Sequence, residues 1–147
     1  MISKTALHAL KAVATLAERP GEFQGASSIA ERIGAPQNYL GKLLQGLIQS
    51  GIVRSQKGKG GGFQLARTPE QISLFDVVEP IDHVSRWEGC FMGKAACTAN
   101  TPCAMHTQWV AIRSDYLKML KESTVADIVA HRVPMMTTRS RRFLFAY

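Results

Sequence analysis

Two short apolar-periodic segments meet at Gly34-Ala35-Pro36, and directly behind them a glycine-rich loop lies between two strand-like runs. No other feature constrains the chain as tightly. Ser28-Ile29-Ala30-Glu31 has the spacing of a capping box, in which a serine hydroxyl and a glutamate three residues on satisfy free backbone N–H groups at a helix start. A helix opened there stops at Gly34, since glycine takes the left-handed conformation that ends helices. Pro36 suits the first turn of the next helix, and Tyr39, Leu40, Leu43, Leu44, Leu47 and Ile48 give that helix an apolar face up to Gly51. Two short helices about so tight a turn make a helix-turn-helix. Ile52-Val53-Arg54-Ser55 and Phe63-Gln64-Leu65-Ala66 then flank Gln56-Lys57-Gly58-Lys59-Gly60-Gly61-Gly62, a β-hairpin with a basic tip. A glycine-rich loop can also cradle nucleotide phosphates, but the Walker spacing is missing and a strand follows in place of a helix. The hairpin reads as a wing.

Around this centre the pattern is helical. Leu7, Leu10, Val13 and Leu16 predict an amphipathic helix over about Ser3–Glu18, ended by Arg19-Pro20-Gly21. Ser73-Leu74-Phe75-Asp76 caps a further short helix that Pro80 ends. Residues 89–102 are small and polar without a period, and so form a loop. From about Ala104, Trp109, Ile112, Tyr116, Leu117 and Leu120 predict a long helix, and Thr124-Val125-Ala126-Asp127 caps a last short one. The expected fold is mainly α with a small β-hairpin: a winged helix-turn-helix over residues 1–80, a cysteine-rich loop over 81–103, a long C-terminal helix with its short capping helix over 104–133, and a basic tail over 134–147.

Charge follows the same division. The 147 residues hold 18 Lys+Arg and 11 Asp+Glu, a formal net charge of +7. Residues 1–75 carry nine basic and four acidic side chains, residues 76–131 carry five and seven, and the remainder adds four arginines. A basic N-terminal half suits a polyanionic partner. A helix-turn-helix lays its second helix in the major groove of DNA, with that helix's first residues at the base edges. Here those are Gln37, Asn38 and Tyr39, with Lys42 a turn further on. Gln and Asn suit adenine, and Lys suits guanine or phosphate. Ser28, Ser55, Lys57, Lys59 and Gly60 complete the expected DNA-contact set, and Arg139, Arg141 and Arg142 are either further backbone contacts or a solvated tail. The hydrophobic share of 46% supports a real core and excludes a disordered tail. No run reaches the roughly 18 apolar residues of a membrane helix, and no signal peptide is evident, so a cytoplasmic protein without a membrane partner is expected.

Cys90, Cys97 and Cys103 are the three cysteines, within fourteen residues of one another. An odd number without a signal peptide argues against a secreted disulfide framework. No C-x-x-C pair exists, which disfavours a zinc ribbon or a thioredoxin-like centre. Wide spacing in a loop of small residues suits a larger object, and three thiolates with the imidazole of His106 supply the four ligands of an iron–sulfur cluster. The spacing leaves a zinc site, oxidisable free thiols and a local disulfide open beside it. His8 lies on the first helix near core leucines, where packing is the simpler role. Trp109 and Tyr116 on the long helix fit the core of a dimer rather than a chemical role.

The helix-turn-helix, the run Gly51 to Ala66, Ile72-Ser73, Asp76-Val77-Val78, the three-cysteine loop and Cys103-Ala104-Met105-His106 before Trp109 together resemble the bacterial winged-helix regulators that include IscR, NsrR and RirA. The resemblance spans about residues 1–131. It implies a homodimer clasped through the long helix, a palindromic operator in double-stranded DNA, and an iron–sulfur cluster at Cys90, Cys97, Cys103 and His106 that tunes DNA binding in response to iron–sulfur status, redox state or nitric oxide. A histidine three residues after the last cysteine is the IscR-like arrangement, which favours [2Fe–2S] over [4Fe–4S]. Six residues separate Cys90 from Cys97, where IscR- and NsrR-like chains have five and RirA-like chains seven. Leu7 stands where NsrR-like members place an aspartate ligand, Gly41 where IscR-like chains often have an acid, and Lys57 where arginine is usual. The expected activity is that of a transcription regulator, a repressor, and not an enzyme. The alternatives are a cluster-free thiol sensor that also regulates transcription, and an oxidoreductase or cluster carrier, against which stands the absence of any nucleotide motif.

Overall fold

A computed structural model describes residues 2–87, 89–95 and 97–131. Arg139, Arg141 and Arg142, with the rest of the expected basic tail, lie outside the described residues. The chain begins with helix α1 (Lys4–Ala17), whose N-cap Ser3 accepts the Ala6 N–H. Ala6, Ala9, Ala12, Ala14 and Ala17 are all buried, so small side chains let this helix run through the middle of the fold. α2 (Ala26–Ile33) and α3 (Gln37–Gln49) follow, then strands β1 (Val53–Gln56) and β2 (Gly62–Leu65), antiparallel with Val53 opposite Leu65 and Gln56 opposite Gly62. α4 (Leu74–Asp82) leads into a single 3-10 turn (Val84–Arg86), and after the loop come α5 (His106–Glu122) and α6 (Val125–Ala130). The class is mainly helical with one small hairpin, a winged helix-turn-helix followed by a long C-terminal helix.

Three local expectations change. α2 begins at Ala26, with Gly25 in extended conformation as its N-cap, so Ser28 lies inside the first turn and caps nothing. Pro36 is the N-cap of α3 rather than its first helical residue. Pro80 does not end α4. It forgoes one backbone bond, while Val77 and Val78 stay fully buried and the His83 N–H closes the helix on the Glu79 carbonyl at 3.0 Å. His83 takes the left-handed conformation (φ 49°) that glycine usually supplies there. The capping boxes at Ser73/Asp76 and Thr124/Asp127 are both formed.

One core joins these elements. Leu16 from α1, Ile29 from α2, Leu40, Leu44 and Leu47 from α3, Val77 and Val78 from α4, and Val84 meet there, with Leu120 of α5 and Val125 of α6. Two long-range pairings fix the periphery. Gln24 and Phe63 exchange backbone hydrogen bonds of 2.8 Å, which ties the chain before α2 to the wing. The starts of α4 and α6 join through Leu74 N–H to the Ser123 carbonyl and Val125 N–H to the Ile72 carbonyl, both 2.9 Å.

Candidate DNA-binding face and thiol site

α3 presents Gln37, Asn38 and Lys42 to solvent, and Tyr39 is half-buried, its ring edge-on to His8 with centroids 5.6 Å apart. Gln37 is not free: its side-chain amide donates to the hydroxyl of Ser27 on α2. Nothing local in the sequence marks Ser27 as a partner across the turn. Ser28, Ser55, Lys57, Lys59 and Gly60 are all exposed, the last three at the wing tip. The tip is shaped by backbone crowding. A Cβ on Gly61 would sit 2.2 Å from the Gln56 carbonyl oxygen, and one on Gly62 would sit 2.5 Å from that of Gln24. At both positions only hydrogen fits. At the wing's base Arg54 donates to the Gln64 side chain at 2.7 Å and lies over the Phe23 ring. His8 is packed, as its helix face predicts. Its Nδ1 is buried with no hydrogen-bond partner among the described residues, and desolvation, with Lys11 and Lys4 nearby, holds its pKa below the usual imidazole value.

The three cysteines are brought together. Their sulfurs all lie within 4.8 Å of one another, Cys90 Sγ is 3.4 Å from Cys103 Sγ, and His106 Nδ1 is 3.3 Å from Cys97 Sγ. His106 opens α5, and its backbone N–H donates to the Cys103 carbonyl at 3.1 Å, so the turn between them sets the imidazole against the loop. Backbone N–H groups of Lys94 and Met92 point at the Cys90 sulfur and pull its pKa down to about 7. Cys97 is held above the ordinary thiol value: the Cys103 N–H lowers it, but desolvation and the Cys103 and Cys90 sulfurs outweigh that effect. Gly89, Phe91, Trp109, Val110 and Arg113 complete the small cleft around the sulfurs. Three soft sulfur donors and one imidazole on one side of a small cleft form a ligand set for a soft metal centre. Tetrahedral zinc, with bonds of about 2.3 Å, would hold its sulfurs about 3.8 Å apart. N–H donors aimed at sulfur, with the chain wrapped around the site, are equally the surroundings of an iron–sulfur cluster.

Trp109 and Tyr116 are engaged within the chain. Trp109 Nε1 donates to the Gly89 carbonyl at 2.9 Å and its ring meets Phe91, while Tyr116 stacks on Trp87.

A family model described as an iron-dependent transcriptional regulator, Rrf2, matches residues 2–131. The chain belongs to the Rrf2 family. Rrf2 regulators bind DNA, in keeping with the helix-turn-helix and wing. One relative, the HTH-type transcriptional regulator NsrR of Bacillus subtilis (strain 168), is 31% identical over 121 residues, which are 82% of this chain and 83% of that one. Among solved structures, IscR of T. potens superposes with a TM-score of 0.71 at 25% identity, covering 95% of this chain and 94% of that one. CymR of B. subtilis, the global cysteine regulator, shares the fold with a TM-score of 0.75 at 22% identity, covering 90% and 98%. No helix among the described residues of this Rrf2 chain is long and apolar enough to cross a membrane.

Proposed function

We propose that this Rrf2 chain is a cytoplasmic, homodimeric repressor of a palindromic promoter element, its DNA affinity set by an iron–sulfur cluster held by Cys90, Cys97, Cys103 and His106. The observation that carries this reading is the gathering of three sulfurs within 4.8 Å, with the His106 ring at 3.3 Å from Cys97, on a loop fixed to the long helix. The iron dependence in the family's description favours iron over zinc. Bound there, a cluster supplies reversible one-electron chemistry and sensitivity to oxidants. A neutral imidazole in place of one thiolate favours [2Fe–2S] over [4Fe–4S], because histidine ligation is known from two-iron centres. DNA contacts are assigned to Ser28, Gln37, Asn38, Tyr39 and Lys42 in the major groove region, and to Ser55, Lys57, Lys59 and Gly60 at the wing. The dimer is assigned to α5, of whose 17 residues only Leu120 is buried, and where Ile112 and Met119 are 61% and 50% exposed.

The close approach of Cys90 to Cys103, 3.4 Å between sulfurs, favours one second reading. Hydrogen peroxide would oxidise the two thiols to a disulfide, its oxygens leaving as two waters, and the protein would sense oxidant without a cluster. Anaerobic reconstitution with iron and sulfide decides. The cluster reading predicts visible charge-transfer absorption with iron and acid-labile sulfide in comparable amounts, most of it lost in Cys97→Ser, and a labile cluster of shifted potential in His106→Ala. Zinc retention without sulfide, or a reversible Cys90–Cys103 disulfide as the sole response, would overturn it.

A further inference from the structure

We propose that Arg113, together with the stacked pair Trp87 and Tyr116, is the positioning element that carries the state of the thiol site into the DNA-binding fold. The inference rests on the reading that this site regulates DNA binding. His106, Trp109, Arg113 and Tyr116 recur at helical spacing on one face of α5, and Leu120 continues that face into the core. Each makes a different contact along the same line. His106 Nδ1 faces Cys97 Sγ at 3.3 Å. Trp109 Nε1 donates to the Gly89 carbonyl, one residue before Cys90. Arg113 Nη1 donates to the Trp87 carbonyl at 3.3 Å. Tyr116 lies flat on the Trp87 ring, with centroids 5.5 Å apart and planes 7° from parallel.

A single helix face thus grips both ends of the loop's approach to Cys90. The carbonyls of Trp87 and Gly89 are both pinned to the helix whose first residue reaches Cys97. A helix is stiff along its length, so a shift of Cys90 relative to His106 is passed through these two carbonyl contacts to Trp87. Beyond Trp87 the route is continuous. The Trp87 N–H donates to the Val84 carbonyl, and Val84 is fully buried with Val77 and Val78 of α4. Asp82, the last residue of α4, accepts the Ser3 N–H at 2.7 Å, joining α4 to the start of α1, which packs on α2 and α3. Arg113 is the charged member of the grip, and a hydrogen bond from a guanidinium is worth more than one between neutral groups. Tyr116 acts through its ring: its hydroxyl is buried and has no partner among the described residues.

The test uses the full chain and four proteins: wild type, Arg113→Ala, Tyr116→Ala and Tyr116→Phe. Cluster content is read from absorption and sulfide, and DNA affinity is measured for loaded and emptied protein on a fragment the wild type selects from random DNA. The chain's two tryptophans, Trp87 and Trp109, both sit in the grip, so acrylamide quenching of the emptied protein reports the grip without any cluster. Tyr116→Ala, outside the cleft, should load normally; both alanine variants should quench more readily when emptied and, once loaded, bring the loaded-to-emptied affinity ratio toward one by about threefold or more. Tyr116→Phe keeps the stack and should match wild type in all three readouts. An unchanged ratio in both alanine variants at full loading would overturn the proposal, as would a Tyr116→Phe variant that loses the coupling. If Arg113→Ala fails to load, Tyr116→Ala, remote from the sulfurs, decides alone. A wild-type ratio of one would instead refute the regulatory reading itself, and the link with it.

Discussion

At the wing tip, Lys57 and Lys59 are exposed and without an ion-pair partner among the described residues, while Gly61 and Gly62 are fixed by backbone that lies where a Cβ would go. The lysines therefore ride on a hairpin whose path is set by crowding, and their charge is presented at a defined place. A protein that neutralises DNA phosphates releases counterions, with a salt slope of roughly 0.9 per contact. Replacing Lys57 and Lys59 together by Ala should lower the slope of log affinity against log salt by about 1.8 per protomer, roughly 3.6 for a dimer, and weaken operator and random DNA alike. Titrations at four or five salt concentrations check this, and an unchanged slope would remove the wing from the interface. Gln37 stands apart, because its amide is engaged by Ser27 and is held in place before any DNA arrives.

Elements with strong local signals were legible in the sequence, and those set by distant partners were not. The boxes at Ser73/Asp76 and Thr124/Asp127 cap α4 and α6 as their spacing predicts, since each needs only residues three apart. The same pattern at Ser28 misleads, because Gly25 opens the helix a turn earlier and leaves Ser28 nothing to cap. Pro80 misleads for a different reason: buried Val77 and Val78 hold α4 together past it. The Gln24–Phe63 pairing and the contacts of Trp109 with Gly89 and of Arg113 with Trp87 join residues about 20 or more positions apart, and periodicity carries no trace of them. The cysteine site was legible in its ligand types, the wrapped loop and the histidine, but not in the individual distances or in which N–H groups, those of Lys94 and Met92, face Cys90. The α6 cap carries a pH signature. The Thr124 N–H and hydroxyl hold the Asp127 carboxyl below its ordinary value, so its contribution to stability is present above the unfolded carboxylate pKa and is lost as pH falls through the lower folded value. Thermal melts of wild type and Asp127→Ala should therefore differ most near neutrality and converge below about pH 4. A melting difference that persists or grows in acid would contradict this role.

On the scale of the whole molecule, α5 has two faces with different tasks. One holds the cysteine loop and feeds Leu120 into the core; the other leaves Ile112 and Met119 in water. A helix of 17 residues is about 26 Å long, enough to lie along a second copy of itself. Apolar side chains left on such a face are the expected seam of a dimer, and two recognition helices spaced by that dimer would meet half-sites one turn of DNA apart, about 34 Å. Ile112→Asp with Met119→Lys should convert a particle of two-chain mass to one of single-chain mass in light scattering, with the helical circular dichroism retained; a wild type that already runs as a single chain would refute the dimer. A dimer alone does not make a switch, because only a difference in DNA affinity between two states of the thiol site can move the equilibrium. The most direct measurement is the dissociation constant for a DNA fragment the protein selects, determined without oxygen on one preparation before and after iron and sulfide are removed, with Cys97→Ser alongside. The two wild-type values should differ by about fivefold or more, and Cys97→Ser should show the emptied value under both treatments. Equal wild-type affinities, with the cluster present in one sample and absent from the other, would contradict this.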